Sequence, residues 1–235
     1  MDASPWYSKQ RDSAKPITPQ CRMSTIALDF VRSLYENADA AHAFDHVLRV
    51  TRLAVHLAKA EGADVEIVRV AALLHDVADS RRDHHLASAR MARDLLDDAP
   101  ATFVDAVVHC IEAHRFSQPP EPATLEAQCL NDADKLDAIG AVGVARAFAF
   151  AGARGSRLWA YPLPELDQRI GLDREAYRRA HGGSQDYTPS HELLCKLAGL
   201  ADSMYTATAR QLARERHAFM MAFFRRLDEE AQGLR

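Results

Sequence analysis

The sequence predicts an all-α protein. Apolar residues recur at helical spacing along most of the chain, strand-like alternation is sustained nowhere, and glycine and proline fall where the helical stripes stop. No repeat of 20 to 50 residues runs through it.

The elements follow in order. Residues 1–22 mix Pro, Ser, Lys and Gln without periodicity and read as a flexible lead-in. From Thr25 to Tyr35, residues Ile26, Leu28, Phe30, Val31 and Leu34 keep to one helical stripe. Asp45 to Ala60 carries Val47, Val50, Leu53, Ala54, Leu57 and Ala58 on one face, and Gly62 supplies its C-terminal stop. Val65 to Ala78 is apolar on most sides, as a central helix is. His84 to Leu96 and Ala101 to His114 follow, divided at Pro100. After the loop SQPPEP, Leu125 to Phe150 is helical in composition, with Gly140 and Gly143 marking close packing or a bend. Residues 152–190 are glycine- and proline-rich and predict an irregular excursion with one short helix near Asp173 to Ala180. Helices resume at His191, and Ser203 to Glu230 is long and amphipathic. The expected organisation is therefore a lead-in (1–22), a helical core (23–151), and an excursion with C-terminal helices packing on that core (152–235).

Composition narrows the function. The chain has 235 residues, 48% of them hydrophobic, and a formal net charge of −4, with no long Lys/Arg block. That balance argues against general nucleic-acid binding and leaves room for a small anionic ligand held by a local basic cluster. No uncharged run approaches the roughly 20 residues of a membrane span, and the N-terminus lacks an apolar signal core, so a cytoplasmic protein without a membrane partner is expected. Cys21, Cys110, Cys129 and Cys195 form no CxxC pair, which disfavours disulfides or a thiolate zinc site.

The chemistry is concentrated in polar residues that interrupt apolar helices. In RVAALLHDVADSRR an almost unbroken apolar run ends on His75 and Asp76, where an unpaired charge would be strongly disfavoured. His46 stands near the start of a helix in FDHVLRV, and Asp134 lies early in a helix in NDADKLDAIG. Adjacent helical residues point about 100° apart, so His75 and Asp76 can share a ligand only at a helix end, which is where the pattern puts them. Two imidazoles and two carboxylates make a mixed N/O set for a divalent cation such as Mn, Mg, Co, Ni, Fe or Zn.

The order H…HD…D, here His46, His75-Asp76 and Asp134, resembles the HD superfamily of metal-dependent phosphohydrolases. The run from Phe44 to Asp79, the segment NDADKLDAIGAVGVARAF and the tail KLAGLADSMYTATARQLARERHAFM are similar to one small bacterial branch of it. The resemblance implies an HD-domain helical bundle with a C-terminal helical extension. It also implies hydrolysis of nucleoside triphosphates, notably deoxynucleotides, to monophosphate and pyrophosphate. Of Asp132 and Asp134, it assigns the metal to Asp134, directly before the basic residue, and leaves Asp132 as a helix cap or a second-sphere acceptor.

It further implies roles for neighbours. Asp79 occupies a position of a catalytic or water-orienting group, and Lys135 one that holds phosphate in some HD nucleotidases. His84 or His85, together with His114, falls where two-metal relatives carry additional ligands. The branch does not depend on that second set, so one cation is expected, with His114 as a catalytic pocket histidine that shares proton handling with Asp79, His85 in the substrate pocket, and a second cation as the alternative. Arg49, Arg146 and Lys196 are the candidate phosphate-binding cations. The tail departs from the branch at Met204-Tyr205-Thr206 and at HELLC, residues that would shape the base pocket. The expectation is a hydrolase acting on a small phosphorylated substrate, as a monomer or homodimer. A nucleoside monophosphate phosphomonoesterase, a non-catalytic nucleotide sensor and an oxidative di-iron HD enzyme are the alternatives.

Overall fold

In a computed structural model of the chain, the residues described are 27–35, 44–78, 83–115 and 119–235. The lead-in predicted for 1–22 and the candidate Asp79 lie outside them. The described residues are helical throughout their ordered elements and contain no strand.

Helix α1 is Leu28–Leu34, α2 Phe44–Glu61, α3 Val65–Leu74, α4 His84–Leu95 and α5 Ala101–Glu112. Helix α6 is Leu125–Asp137, α7 Gly140–Ala153, α8 Leu163–Ile170, α9 Arg174–His181 and α10 Pro189–Glu192. A π-helical turn, Leu193–Leu197, leads into the short α11, Ala198–Leu200, a 3₁₀ turn at Ala201–Ser203, and the long α12, Ala207–Ala231. α2 packs against α3 and α6, α4 against α5, and α12 closes over α7 and α6. The shared core is aliphatic: Leu57, Leu74, Ile111, Leu130, Leu136, Met220 and Phe224 are fully buried. Truncating such a side chain costs about 2–5 kcal/mol.

Local chemistry sets the boundaries. Gly62, at φ +81°, lets the chain turn out of α2. Asp64 then caps α3 by accepting from the Glu66 and Ile67 amides. Thr124 caps α6 and Thr206 caps α12 in the same way. α3 ends at Leu74, earlier than the predicted Ala78. The predicted single helix from Leu125 to Phe150 is two helices that meet at 60°. Gly140 adopts φ +75°, and a Cβ on Gly143 would lie 2.2 Å from the Ala138 carbonyl oxygen, so both glycines are required at the bend. The excursion is more ordered than its composition suggests. It holds α8 as well as α9, because Pro162 and Pro164 fall at and just after the α8 start, where a missing amide hydrogen costs nothing. Asp228 on α12 fastens this region by accepting from the Trp159 indole at 2.8 Å and the Leu163 amide at 2.6 Å.

No single described helix is long and apolar enough to cross a membrane. α6 and α7 pass that test only as a bent pair; most of α6 is buried, and one face of α7 packs on the core.

Candidate metal centre

The apolar helix α3 delivers His75, its C-cap, and Asp76 at its C-terminal end, just past the last hydrogen-bonded turn. Around them, α2 brings His46, α6 brings Asp134, α4 begins with His84, and the turn after α5 brings His114. His46 Nε2 lies 3.6 Å from Asp134 Oδ1 and 3.7 Å from Asp76 Oδ2, and His75 Nε2 lies 3.4 Å from the same Asp76 oxygen. The other Asp76 oxygen, Oδ1, is 3.5 Å from both His84 Nε2 and His114 Nε2. The donors thus fall into two groups able to hold an ion, His46 with His75 and Asp134, and Asp76 with His84 and His114. Asp76 turns one oxygen toward each.

The imidazoles are oriented from behind. His46 Nδ1 is 2.8 Å from Asp137 Oδ2, His75 Nδ1 is 2.8 Å from the Ala72 carbonyl, and His114 Nδ1 is 2.6 Å from the Ile111 carbonyl. Carbonyl and carboxylate oxygens only accept, so each Nδ1 carries a hydrogen and each ring turns its Nε2 edge to the centre. His75 Nε2 and Asp76 Oδ1 are buried without a hydrogen-bond partner. A folded protein rarely leaves such atoms unpaired, and a cation satisfies both. The residues present therefore fit a divalent metal, and the N/O mixture suits first-row ions.

Electrostatics agree with that geometry. Burial raises the Asp76 pKa, but His75, His114 and His84 outweigh it and hold the carboxylate well below its usual range. Burial pushes His75 down and takes His84 to about 4. For His114 the contact with Asp76 overcomes burial and moves the pKa up.

The structure brings together the four predicted metal residues, His46, His75, Asp76 and Asp134, and sets beside them His84 and His114, both named from sequence as candidates for a second cation. Of the adjacent pair, His84 faces the centre. His85, expected in the substrate pocket, is buried to the side with Nδ1 unpartnered and belongs to neither donor group. Lys135 differs from its expected phosphate role, because it is only 2% exposed and its Nζ donates to the Ser203 carbonyl at 2.6 Å beneath the Tyr205 ring. Asp132 lies inside α6 and caps nothing there. It accepts from the Tyr205 amide and from the Thr206 amide and hydroxyl, fastening the start of α12.

Arg49 and Arg146 converge on Asp137, through Arg49 Nε at 2.7 Å and Arg146 Nη1 at 2.6 Å, instead of standing as independent surface cations. Sequence reasoning passed over Asp137. The available signal was its spacing of three residues from Asp134, which puts both carboxylates on one side of α6. Arg115 was also passed over, although its charge depresses His84 and His85. Lys196 is close enough to Asp134 and Arg146 to feel both charges.

Residues 43–139 match the HD domain family. The chain is 36% identical over 215 residues to YpgQ of Bacillus subtilis, covering 87% of this chain and 92% of that protein. The crystal structure of Bacillus subtilis YpgQ in complex with ADP superposes with a TM-score of 0.67 at 32% identity, over 91% of this chain and 97% of the other. An HD-superfamily hydrolase from Bacillus thuringiensis gives a TM-score of 0.67 at 29% identity, over 92% and 99%.

Proposed function

Because the chain belongs to the HD-domain family, we propose that it is a metal-dependent phosphohydrolase that cleaves nucleoside triphosphates, deoxynucleotides included, to the monophosphate and pyrophosphate. The observation that carries this reading is the convergence of three imidazole Nε2 atoms, each anchored through Nδ1, on the paired carboxylates of Asp76 and Asp134. The ADP bound by the Bacillus subtilis relative supports a nucleotide as substrate class.

A divalent cation in this centre supplies Lewis acidity, polarising a phosphoryl oxygen and lowering the pKa of a water. In this reading His46, His75, Asp76 and Asp134 hold it. His84 and His114, with Asp76, would hold another, which extends the single cation expected from sequence to two. Arg115 and Lys196 bring positive charge to the rim and steady the phosphates, a role that Arg49 and Arg146 share only through donors not engaged by Asp137. Asp79 is assigned the water's proton. One water adds across the anhydride, the bond from the α-phosphorus to its bridging oxygen breaks, and pyrophosphate leaves with that oxygen.

Product analysis of Mn²⁺-loaded protein with ribo- and deoxynucleoside tri- and monophosphates tests the proposal. Pyrophosphate released from a triphosphate is the expected product. Orthophosphate from a monophosphate would establish a phosphomonoesterase instead, and nucleotide binding without turnover a sensor. Asp76→Ala serves as the inactive control.

A further inference from the structure

Away from the metal centre, α8, α9 and the chain leading into α10 enclose a second cavity of about 340 Å³. Its walls are aromatic, formed by Tyr161, Tyr177, Tyr187 and His191, and its rim carries Arg157 and Arg169 together with the Asp186 carboxylate. None of the metal-centre donors lines it. We propose that this cup is a second nucleotide site, one that receives a planar base against its aromatic wall and a phosphate at its arginines. It stands independently of the hydrolytic reading.

Three observations lead to that ligand class. First, the rings are arranged as faces. Tyr177 stacks on His191 with centroids 5.9 Å apart and planes 16° apart, and Tyr187 lies 5.2 Å from the same imidazole. The Arg169 guanidinium sits 4.0 Å over Tyr161. Aromatic and guanidinium planes of this kind stack on a flat heterocycle.

Second, His191 is 3% exposed, yet one of its nitrogens is uncommitted. Its Nδ1 accepts the Thr188 amide hydrogen at 3.1 Å and lies 2.8 Å from Thr188 Oγ1, whose hydroxyl can donate to the same nitrogen, an arrangement that puts the neutral ring's proton on Nε2, for which the described residues offer no acceptor. An aliphatic ligand would strand that donor, whereas the ring nitrogen or carbonyl of a base would accept from it. Burial, aided by His181, takes the His191 pKa to about 4, which keeps the ring neutral at pH 7.

Third, the rim can hold an anion. Arg157 pairs with Asp186 at 3.1 Å and Arg169 with Glu165 at 2.7 Å, all four side chains well exposed. Exposed pairs are weak, and a phosphate competes for either guanidinium. The volume lies at the small end of ligand pockets, suited to a base with its sugar.

The test uses ADP and the full chain in excess chelator, which withdraws cations from the HD centre. Saturable binding of one ADP per chain is expected, with upfield shifts of the adenine ring protons. Tyr177→Leu should weaken it at least about tenfold, Tyr177→Phe should leave it within about twofold, and Asp76→Ala should leave it unchanged. Near-UV circular dichroism checks that Tyr177→Leu folds. If it does not, Tyr161→Leu and transferred nuclear Overhauser contacts between adenine and His181 or His191 decide the matter. Loss of all ADP binding in chelator would overturn the proposal. So would wild-type affinity in both leucine variants, or complete competition by an equal concentration of inorganic phosphate.

Discussion

Asp137 Oδ2 stands 2.8 Å behind His46 Nδ1, and the same carboxylate gathers Arg49 and Arg146. Burial alone would raise the Asp137 pKa, but the hydrogen bonds from His46 and Arg49 dominate and hold it far below the usual carboxylate range. The ionised group fixes the His46 tautomer and aims Nε2 at the centre, as acceptors behind metal-bound histidines do. Asp137→Asn preserves size while removing the charge. Cation affinity is expected to fall about 10- to 100-fold, with a parallel loss of hydrolysis at limiting metal. Calorimetric titration of Mn²⁺ into the chelator-treated variant measures this, and unchanged affinity would show that Asp137 only packs.

The division of donors around Asp76 predicts stoichiometry. Saturated wild-type protein should bind two divalent ions per chain, and His84→Ala one, because His84 serves only the group with His114. Atomic emission after desalting gives the count. Chelation should also lower the melting temperature, since an ion that binds only the native state stabilises it by about 2.7 kcal/mol at a hundred times its Kd. Identical counts in both proteins would refute the two-group assignment.

The residues that were legible in sequence are those whose presence breaks an apolar pattern. His75-Asp76 at the end of a buried helix could be found because charge in a core demands a partner, and His46 and Asp134 were tied to them by the HD resemblance. What could not be found depends on side-chain direction. Lys135 adjoins Asp134 in the chain but projects to Ser203, while Asp137, three residues on, comes back to His46. The choice between His84 and His85 turns on the start of α4, which no periodicity locates to one residue. The break between α6 and α7 was signalled by Gly140 and Gly143, yet composition alone reads through it, because helix-forming residues stand on both sides.

Asp132 offers a stability test. Its two oxygens take three donors from Tyr205 and Thr206, at 2.8 to 2.9 Å, and so anchor the start of α12 on α6. Asp132→Ala strands buried donors. A loss of about 2–4 kcal/mol in urea unfolding is expected, at hydrogen-bond values for a charged acceptor. A midpoint shift below about 0.5 kcal/mol would mean that water replaces the carboxylate at no cost.

His191 predicts how stability depends on pH. Its pKa in the fold is about 4, below the ordinary 6.5, chiefly through burial, with His181 adding repulsion, Asp186 opposing, and the uncharged rings of Tyr177 and Tyr187 packed beside it. The unfolded chain therefore takes up a proton near pH 6.5, while the fold refuses it until near pH 4. Unfolding binds protons in that window, so His191 weakens the fold as pH falls from about 6.5 to about 4 and contributes no slope outside it. The size is on the order of 1–3 kcal/mol, below the full value of the shift because the cup is open to solvent. Other depressed histidines such as His75 and His84 titrate in the same direction, so the comparison must be with a variant. His191→Gln keeps the α10 capping box, since glutamine at the third position can accept from the Thr188 amide. Urea unfolding at pH 7 and pH 5 should show a smaller loss in His191→Gln than in wild type, and equal losses would mean that His191 accepts its proton in the folded state as readily as in water.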